Sequence, residues 1–368
     1  MVLLPLSLLL CIRQGYFYRR EVAGMIAWIK KHLFASAFLC CFLFLLAGCG
    51  RGTKDDTVQQ QESESQPDED DIVIGISQVG SESDWRMTNT KAYMDTFTED
   101  KGYYLIFEDG QQKQENQVKA LRKFILKDVD YIVLDPIVET GWDTVLQEAK
   151  DANIPVIIAD RNVLVEDESL YTCRVGSDFL QEGRNAGEWL AKYLESRGRG
   201  NKDIQIVTLQ GSLNSTAQIG RTTGFAQIME QHSNWNMLEY QSGDFTQAKA
   251  YEVMEYFLET YDDIDVVISE NDNMAFGAIE AIKEAGLKLG RNGDIIIISF
   301  DAMRDALRLV QKGEIVADFE CNPITAPLVE EIVQKLERGE AVEKVQYVEE
   351  TYFDYRMDME ALIEKREY

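Results

Sequence analysis

The sequence predicts an α/β fold made of two doubly wound parallel-sheet lobes. Apolar, strand-like runs alternate with helical patterns without a break from Ile72 to Phe319, which is typical of parallel sheets with helices on both faces. The runs are about twice as many as one sheet of about five or six strands needs, so we divide them into two similar lobes. A third observation, the polar cluster that ends nearly every strand, indicates where a ligand would bind.

The first half of the alternation predicts one lobe. Its elements are strands 72–77, 103–107, 131–134 and 155–159, and helices 88–101, 114–126 and 141–152. A short extended run at 171–177 follows the acidic loop 166–169. We therefore place the first crossing between the lobes at 171–177.

The second half repeats the pattern. Its elements are strands 204–209, 237–241, 266–269, 295–300 and 315–319, and helices 182–196, 219–231, 246–260, 274–285, 303–312 and 324–338. A late return of the chain from the second lobe to the first, near Glu320, is less visible in the pattern. The periodicity gives two lobes and leaves their connectivity open.

The polar clusters at the strand ends predict one binding crevice. They are GSESDWR at 80–86, EDGQQ at 108–112, DP at 135, DR at 160, END at 270 and FD at 300. The carboxyl ends of strands in an open parallel sheet face the ligand crevice, so these clusters are expected to converge. Carboxylates accept hydroxyl protons, an Arg fork donates to two oxygens and an Asn amide does both, which suits a polyhydroxylated ligand. Trp85 would add a flat apolar face, and its charged neighbours favour a rim position over a core position.

The N-terminal residues predict export and a lipid anchor. Residues 1–48 are interpreted as a signal peptide with Lys30 and Lys31 before the apolar run 33–46, and Met25 alone would begin a signal of normal shape. The sequence Leu-Ala-Gly-Cys at 46–49 resembles the bacterial lipobox, which makes Cys49 the lipidation site. The alternative is a retained membrane helix, but the run falls short of the roughly 20 apolar residues that span a bilayer.

The charge of the chain excludes nucleic acid as a partner. Residues 49–71 carry two basic and eight acidic residues without an apolar run and are predicted to be a solvated, lipid-anchored tether. The formal net charge is −27 for the whole chain and would be −31 without residues 1–48. A body this acidic does not bind phosphates through basic contacts, and its membrane contact is expected through the anchor alone.

The sequence carries no signature of an enzyme, cofactor site or metal site. The glycine-rich dinucleotide and P-loop patterns and the serine nucleophile elbow are absent. His232 is the one histidine beyond the signal and is interpreted as a surface residue, so neither a catalytic base nor a zinc site is expected. Cys173 and Cys321 remain in the body as two buried thiols or as a disulfide, which export permits.

Several motifs together resemble a known family. They are GISQVGSESDWR, DGQQKQENQ, GWDTVLQEAKDANIPV, LQGS, QSGDFT, NDNM and AIKEAGLK, with the DP at 135 and the DR at 160. They are similar to the periplasmic sugar-binding proteins of carbohydrate ABC transporters over residues 72–345, with the galactofuranose-binding branch nearer than the ribose-binding branch. The resemblance implies the type I periplasmic-binding-protein fold, two doubly wound lobes joined by hinge strands. The N-terminal lobe would take 72–175 and about 320–345, and the C-terminal lobe 176–319 and about 346–368.

The resemblance also implies a set of ligand contacts. By position they are Ser81, Glu82, Trp85, Arg86, Asp109, Gln111, Asp160 and Arg161 on the first lobe, Arg221, Asn271 and Asp301 on the second, and Glu320 near the hinge. Asp272 matches too and is interpreted as a brace for its loop. The chain departs from the family at FDAM (300–303), where glycine usually follows the aspartate, and at FECN (319–322). A disulfide between Cys173 and Cys321 would lie beside the hinge crossings and limit bending.

The function implied by these matches is capture of a monosaccharide between two closing lobes. We expect an exported, monomeric, lipid-anchored solute-binding protein without a cofactor, working with ABC permease and ATPase subunits on galactofuranose, galactose or a pentose. The anchor would lie on the outer face of a Gram-positive membrane or on the periplasmic side otherwise. An alternative is a sugar receptor subunit for a membrane sensor kinase or chemoreceptor. An enzyme would need a poised carboxylate pair, such as Glu82 and Asp160, and the absent motifs disfavour it.

Overall fold

The computed structural model describes residues 66–368, so the predicted signal peptide, Cys49 and most of the tether lie outside the described residues. Its strands are β1 (Ile72–Gln78), β2 (Tyr103–Asp109), β3 (Tyr131–Leu134), β4 (Val156–Ala159), β5 (Cys173–Gly176), β6 (Ile204–Gln210), β7 (Trp235–Ser242), β8 (Val266–Ser269), β9 (Ile296–Asp301), β10 (Ala317–Glu320), β11 (Val345–Tyr347) and β12 (Tyr352–Asp354). Among residues 66–368, no helix is long and apolar enough to span a membrane.

The helices follow most of the strands in turn. They are α1 (Asp84–Thr96), α2 (Gln114–Leu126), α3 (Asp143–Asp151), α4 (Phe179–Ser196), α5 (Thr216–Met229), α6 (Gln247–Thr260), α7 (Asp272–Glu284), α8 (Arg304–Lys312), α9 (Ala326–Glu337) and α10 (Met359–Lys365). The first helix begins four residues earlier than predicted, because the Ser83 hydroxyl accepts the backbone N–H of Arg86 and caps it. The SESDWR cluster is therefore the start of a helix.

The strands form two six-stranded sheets. The first has the order β11-β5-β4-β3-β1-β2 and is parallel throughout. The second has the order β12-β10-β9-β8-β6-β7 and is parallel except for the β10–β12 pair. Each sheet has an apolar core on both faces, with α1 and α9 opposite α2 and α3 on the first, and α4 and α5 opposite α6, α7 and α8 on the second. The predicted pair of doubly wound lobes is confirmed.

Within residues 66–368 the chain passes between the two sheets three times. The passages are residues 176–179, 320–326 and 347–352. The third follows from β11 and β12, which the sequence pattern did not predict because each is a three-residue strand at the edge of its sheet. The two edge strands are too short to show a period.

Close approach of the backbone shapes the end of the first sheet. A Cβ on Gly176 would lie 2.3 Å from the carbonyl oxygen of Asp160, so only glycine fits at the end of β5. Asp160 itself has a φ of 54°, in the left-handed region. This arrangement turns the chain after β4 and directs Asp160 and Arg161 toward the space between the sheets.

Candidate ligand-binding site

A cavity lies between the carboxyl ends of the two sheets, with an empty volume of about 290 Å³. Its lining comes from both lobes: Glu82, Ser83, Trp85, Arg86, Asp160, Arg161, Phe179, Ala217, Arg221, Phe245, Asn271, Asp301 and Cys321. The strand-end clusters around 82–86, 160, 270 and 300 converge as expected.

Direct hydrogen bonds join the two lobes around this cavity. The Asp84 N–H donates to Asn273 Oδ1 at 3.1 Å, and Asn273 Nδ2 donates to Asp84 Oδ2 at 3.0 Å. On another side, the Asn162 N–H donates to Thr216 Oγ1 at 2.9 Å. The structure therefore has the lobes closed over the cavity.

Arg86 is a hub in the wall of the first lobe and uses four of its five N–H donors within the protein. Its guanidinium donates to Glu82 at 3.1 Å, Asp160 at 2.8 Å and Gln78 at 3.0 Å, and also to Asp135. Burial disfavours its charge, yet the carboxylates around it raise the pKa of Arg86 above its ordinary value. Burial also raises the pKa of Asp135, against the opposing effect of Arg86. Arg86 lines the cavity while four of its donors are used within the protein.

Arg161 differs because part of its guanidinium is unused. Its Nη1 donates to the Ile137 carbonyl at 3.2 Å, and Nη2 lies 3.8 Å from Glu82 Oε1. Within the part of the chain that the structure describes, Arg161 Nε and Glu82 Oε2 are both buried without a hydrogen-bond partner. Burial and the nearby Arg86 charge lower the pKa of Arg161. A donor and an acceptor in the same wall are thus available to a ligand hydroxyl.

Arg221 provides the matching charge on the second lobe. Its Nε donates to Glu182 Oε2 at 2.7 Å, Nη1 donates to the Glu270 carbonyl, and Nη2 lies 3.4 Å from Asp301 Oδ1. Burial raises the pKa of Asp301 well above its usual range, with Arg221 acting against that change. Asn271 caps α7 by accepting the Met274 N–H at 2.9 Å.

Three aromatic rings complete the cavity wall: Trp85, Phe179 and Phe245. Trp85 is 5% exposed and packs with the core of the second lobe, and its Nε1 donates to the Cys321 carbonyl at 2.6 Å. The expected rim position is wrong, because lobe closure covers the ring. The Arg161 guanidinium lies 5.4 Å from the centroid of Phe245, so the unused donor sits beside a flat apolar face.

Four of the residues expected to contact the ligand do not line the cavity. Ser81, Asp109 and Gln111 are exposed and bond one another, with Ser81 Oγ 3.4 Å from Asp109 Oδ2 and the Gln111 N–H 2.7 Å from Asp109 Oδ1. Asp109 ends β2, which is an edge strand, so its cluster lies away from the centre of the sheet. Glu320 is instead held by Arg366 and by the Tyr368 hydroxyl at 2.8 Å.

Several lining residues were not predicted. Phe245 lies in the QSGDFT segment, so the sequence signal was present although no role was assigned to its ring. Phe179 and Cys321 lie at two passages between the lobes. The periodicity of the sequence did not predict how the lobes are connected, so it gave these two residues no role. At the FDAM departure, Ala302 has a φ of 56°, so alanine occupies the left-handed conformation that glycine favours.

Of the two alternatives for the body cysteines, the structure has the two buried thiols and not the disulfide. Both Cys173 and Cys321 are buried free thiols in different cores. Burial raises the pKa of Cys173 to about 11. Cys321 Sγ lies 3.3 Å from the Ser177 hydroxyl.

Two sheets that enclose a polar cavity, joined by three chain passages, define the class of two-lobed solute-binding proteins. The chain belongs to the periplasmic binding protein domain family, whose model matches residues 74–320. The galactofuranose-binding protein YtfQ of Escherichia coli (strain K12) is 41% identical over 286 residues, which cover 77% of this chain and 87% of that protein. The resemblance found in the motifs is thus confirmed, and the relatives are solute-binding proteins, not enzymes.

Solved structures agree with this assignment. The binding protein of the arabinose ABC transporter from Shewanella sp. ANA-3, bound to α- and β-L-arabinofuranose, has a TM-score of 0.75 and 41% identity over 80% of this chain and 95% of its own. A protein from Mycobacterium smegmatis in complex with β-D-fucofuranose has a TM-score of 0.76 and 38% identity over 80% and 94%. These similarities cover both lobes of the fold.

Two buried carboxyl groups of the second lobe predict a loss of stability as the pH rises. Burial raises the pKa values of Glu270 and Asp318 to about 8, whereas the unfolded chain releases these protons near pH 4. The folded state therefore holds more protons from about pH 4 to 8, and each group lowers the free energy of unfolding by up to about 1.4 kcal/mol per pH unit there. We expect the melting temperature to fall from pH 6 to pH 9.

The variant Asp318→Asn should flatten this dependence. An amide retains the acceptor for the Ala302 N–H, which lies 3.2 Å from Asp318 Oδ1, and can donate to Asp272 without a proton from solvent. Melting temperatures of both proteins across this pH range test the expectation. Equal slopes for the two proteins would contradict it.

Proposed function

We propose that this chain is the lipid-anchored, extracytoplasmic sugar-binding protein of an ABC importer. It captures one monosaccharide in furanose form between the two lobes, and the closed form is presented to the permease. The observation that carries the proposal is the set of buried polar side chains from both lobes that line the cavity, among them Arg161 and Glu82, whose Nε and Oε2 have no hydrogen-bond partner among the described residues. A donor and an acceptor in one cavity wall match neighbouring hydroxyl groups of a sugar.

The charges of the wall support a neutral ligand. The groups involved are Arg86 and Arg161 with Glu82, Asp135 and Asp160 on one lobe, and Arg221 with Glu182 and Asp301 on the other. The guanidinium groups are matched or outnumbered by carboxyl groups, so an anionic ligand would meet no surplus of positive charge. The aromatic rings offer apolar faces for the C–H side of a sugar ring.

The named relatives support the ring form and the transport role. They include binding proteins for galactofuranose, arabinofuranose and fucofuranose, all sugars with five-membered rings. The role as a sensor subunit is not favoured, because the arabinofuranose-bound relative is a component of an ABC transporter. A ligand that bonds both lobes favours closure, since only the closed state makes both sets of contacts.

Two anhydroalditols of equal composition test the proposed ring form. 1,4-Anhydro-D-galactitol is locked as a five-membered ring, and 1,5-anhydro-D-galactitol as a six-membered ring, with four hydroxyl groups each. We expect calorimetric titration of the purified protein to give at least tenfold tighter binding of the 1,4-isomer. D-Galacturonate is the charged control and should give no heat. Preference for the 1,5-isomer would contradict the furanose assignment, and absence of binding by any neutral sugar would contradict the sugar site.

A further inference from the structure

The three passages between the lobes meet at the side chain of Glu350. Its Oε1 accepts the Ser177 hydroxyl at 2.5 Å and the Asn322 N–H at 2.9 Å, which lie on the first and second passages, while Glu350 lies on the third. One oxygen of Glu182, Cys321 Sγ and one oxygen of Glu350 lie within 4.8 Å of one another. This group, Glu182, Cys321 and Glu350, is called the hinge triad below.

One carboxylate oxygen of the hinge triad is buried and unused. Glu182 is 5% exposed, and its Oε2 is held by Arg221 at 2.7 Å. Its Oε1 has no hydrogen-bond partner among the described residues. A buried carboxylate oxygen without a donor is costly unless a cation, a proton or water satisfies it.

The triad has two carboxyl groups and one thiol around a single shared cation. Arg221 is the cation of the described residues that pairs with Glu182, and it is also shared with Asp301. A metal ion that replaced protons on the triad would therefore meet ligand charge that Arg221 does not fully compensate.

Small solutes can reach the triad from outside the sugar cavity. A pocket with an empty volume of about 490 Å³ lies on the outer side of the hinge, and both Glu182 and Glu350 line it. Cys321 lines the sugar cavity on the inner side. The triad thus lies in the wall between the two spaces.

We propose that the hinge triad binds a divalent cation of the zinc class and fastens the three passages to one another. A thiolate with two carboxylates suits Zn²⁺, with bonds of about 2.0 to 2.3 Å and an open position for water. Binding releases the Cys321 proton to solvent, so affinity increases as pH rises. Sequence spacing gave no such site, because the three ligands come from segments far apart in the chain.

Zinc titration of the purified full chain, freed of metal by a chelator and free of sugar, tests the site. We expect one Zn²⁺ per chain, bound more tightly at pH 8 than at pH 6.5, and a higher melting temperature with zinc. Glu350→Gln keeps the acceptor for Ser177 and Asn322 but loses the charge, and it should weaken zinc binding at least tenfold. Cys321→Ser should do the same and abolish the thiolate charge-transfer absorbance of the Co²⁺-loaded protein.

Cys173→Ser is the matched control, since Cys173 is also a buried free thiol but lies in the core of the first lobe. It should bind zinc as the parent does. Melting curves in chelator establish that each variant is folded. Zinc binding that is unchanged in both Glu350→Gln and Cys321→Ser, or equally weak in the parent and all variants, overturns the proposal. The sugar titration is separate, because Glu350 does not line the sugar cavity.

Discussion

Replacing Arg86 with Met is expected to lower the free energy of unfolding by about 3 to 5 kcal/mol. Arg86 is 2% exposed and donates to Glu82, Asp135 and Asp160, all of which are buried. Met fills a similar space without charge, so three carboxyl groups lose their shared partner. Removing one partner of a buried ionic cluster leaves uncompensated charge, which costs more than the pair had gained. Urea unfolding at neutral pH measures the change.

Arg122→Met is the matched control for this substitution. Arg122 donates two hydrogen bonds of 2.8 Å to Glu148, but both side chains are largely exposed, and water screens such a pair. We expect little change in stability there. The loss in Arg86→Met should shrink at acidic pH, because the carboxyl groups then take up protons and no longer need a cation. An equal effect in the two variants would contradict the hub role of Arg86.

The fold could be predicted from sequence where elements were long and periodic. The two lobes and the order of strands and helices up to α9, apart from β5, followed from alternation alone, because buried parallel strands and amphipathic helices differ in length and period. The strand β5 lies in the run 171–177, which was predicted as the first crossing between the lobes. The strands β11 and β12 could not be predicted, since three-residue edge strands have no period and depend on contact with β5 and β10. The third passage was therefore visible only in the structure.

The site could be predicted in part, because strand ends reveal position but not partners. Glu82, Asp160 and Arg161 were expected at the crevice, and the structure places them in the cavity wall. Sequence could not distinguish Arg86, whose donors are used internally, from Arg161, whose Nε is free. The difference depends on which carboxylates fold against each guanidinium. This difference separates the structural role of Arg86 from the ligand-binding role that we propose for Arg161.

Replacing Arg161 with Ala is expected to weaken sugar binding by about 100-fold to 1,000-fold, which corresponds to about 3 to 4 kcal/mol. The guanidinium lines the cavity and its Nε makes no hydrogen bond among the described residues, and hydrogen bonds from charged groups contribute about 1.5 to 3 kcal/mol each. Truncation also leaves the Glu82 carboxylate less compensated in the bound state. Calorimetric titration with the tightest-binding neutral sugar measures the loss.

Stability should change little in this variant. Within the described chain, Arg161 makes one hydrogen bond of ordinary length, to the Ile137 carbonyl at 3.2 Å, and it has two long ion pairs, Nη2 at 3.8 Å from Glu82 and Nε at 3.9 Å from Asp160. Its pKa is lowered by burial and by the Arg86 charge, so the folded protein gains little from holding this cation. We therefore expect the sugar-free melting temperature to remain close to that of the parent.

Arg161→Lys keeps a positive charge but loses the planar fork, so it should bind sugar more tightly than Arg161→Ala and more weakly than the parent. That order would assign the effect to hydrogen-bond geometry in addition to charge. Affinity within threefold of the parent in Arg161→Ala would remove Arg161 from the ligand contacts. A fall in melting temperature as large as that of Arg86→Met would instead make Arg161 a second structural cation, whose free Nε is satisfied by water rather than by sugar.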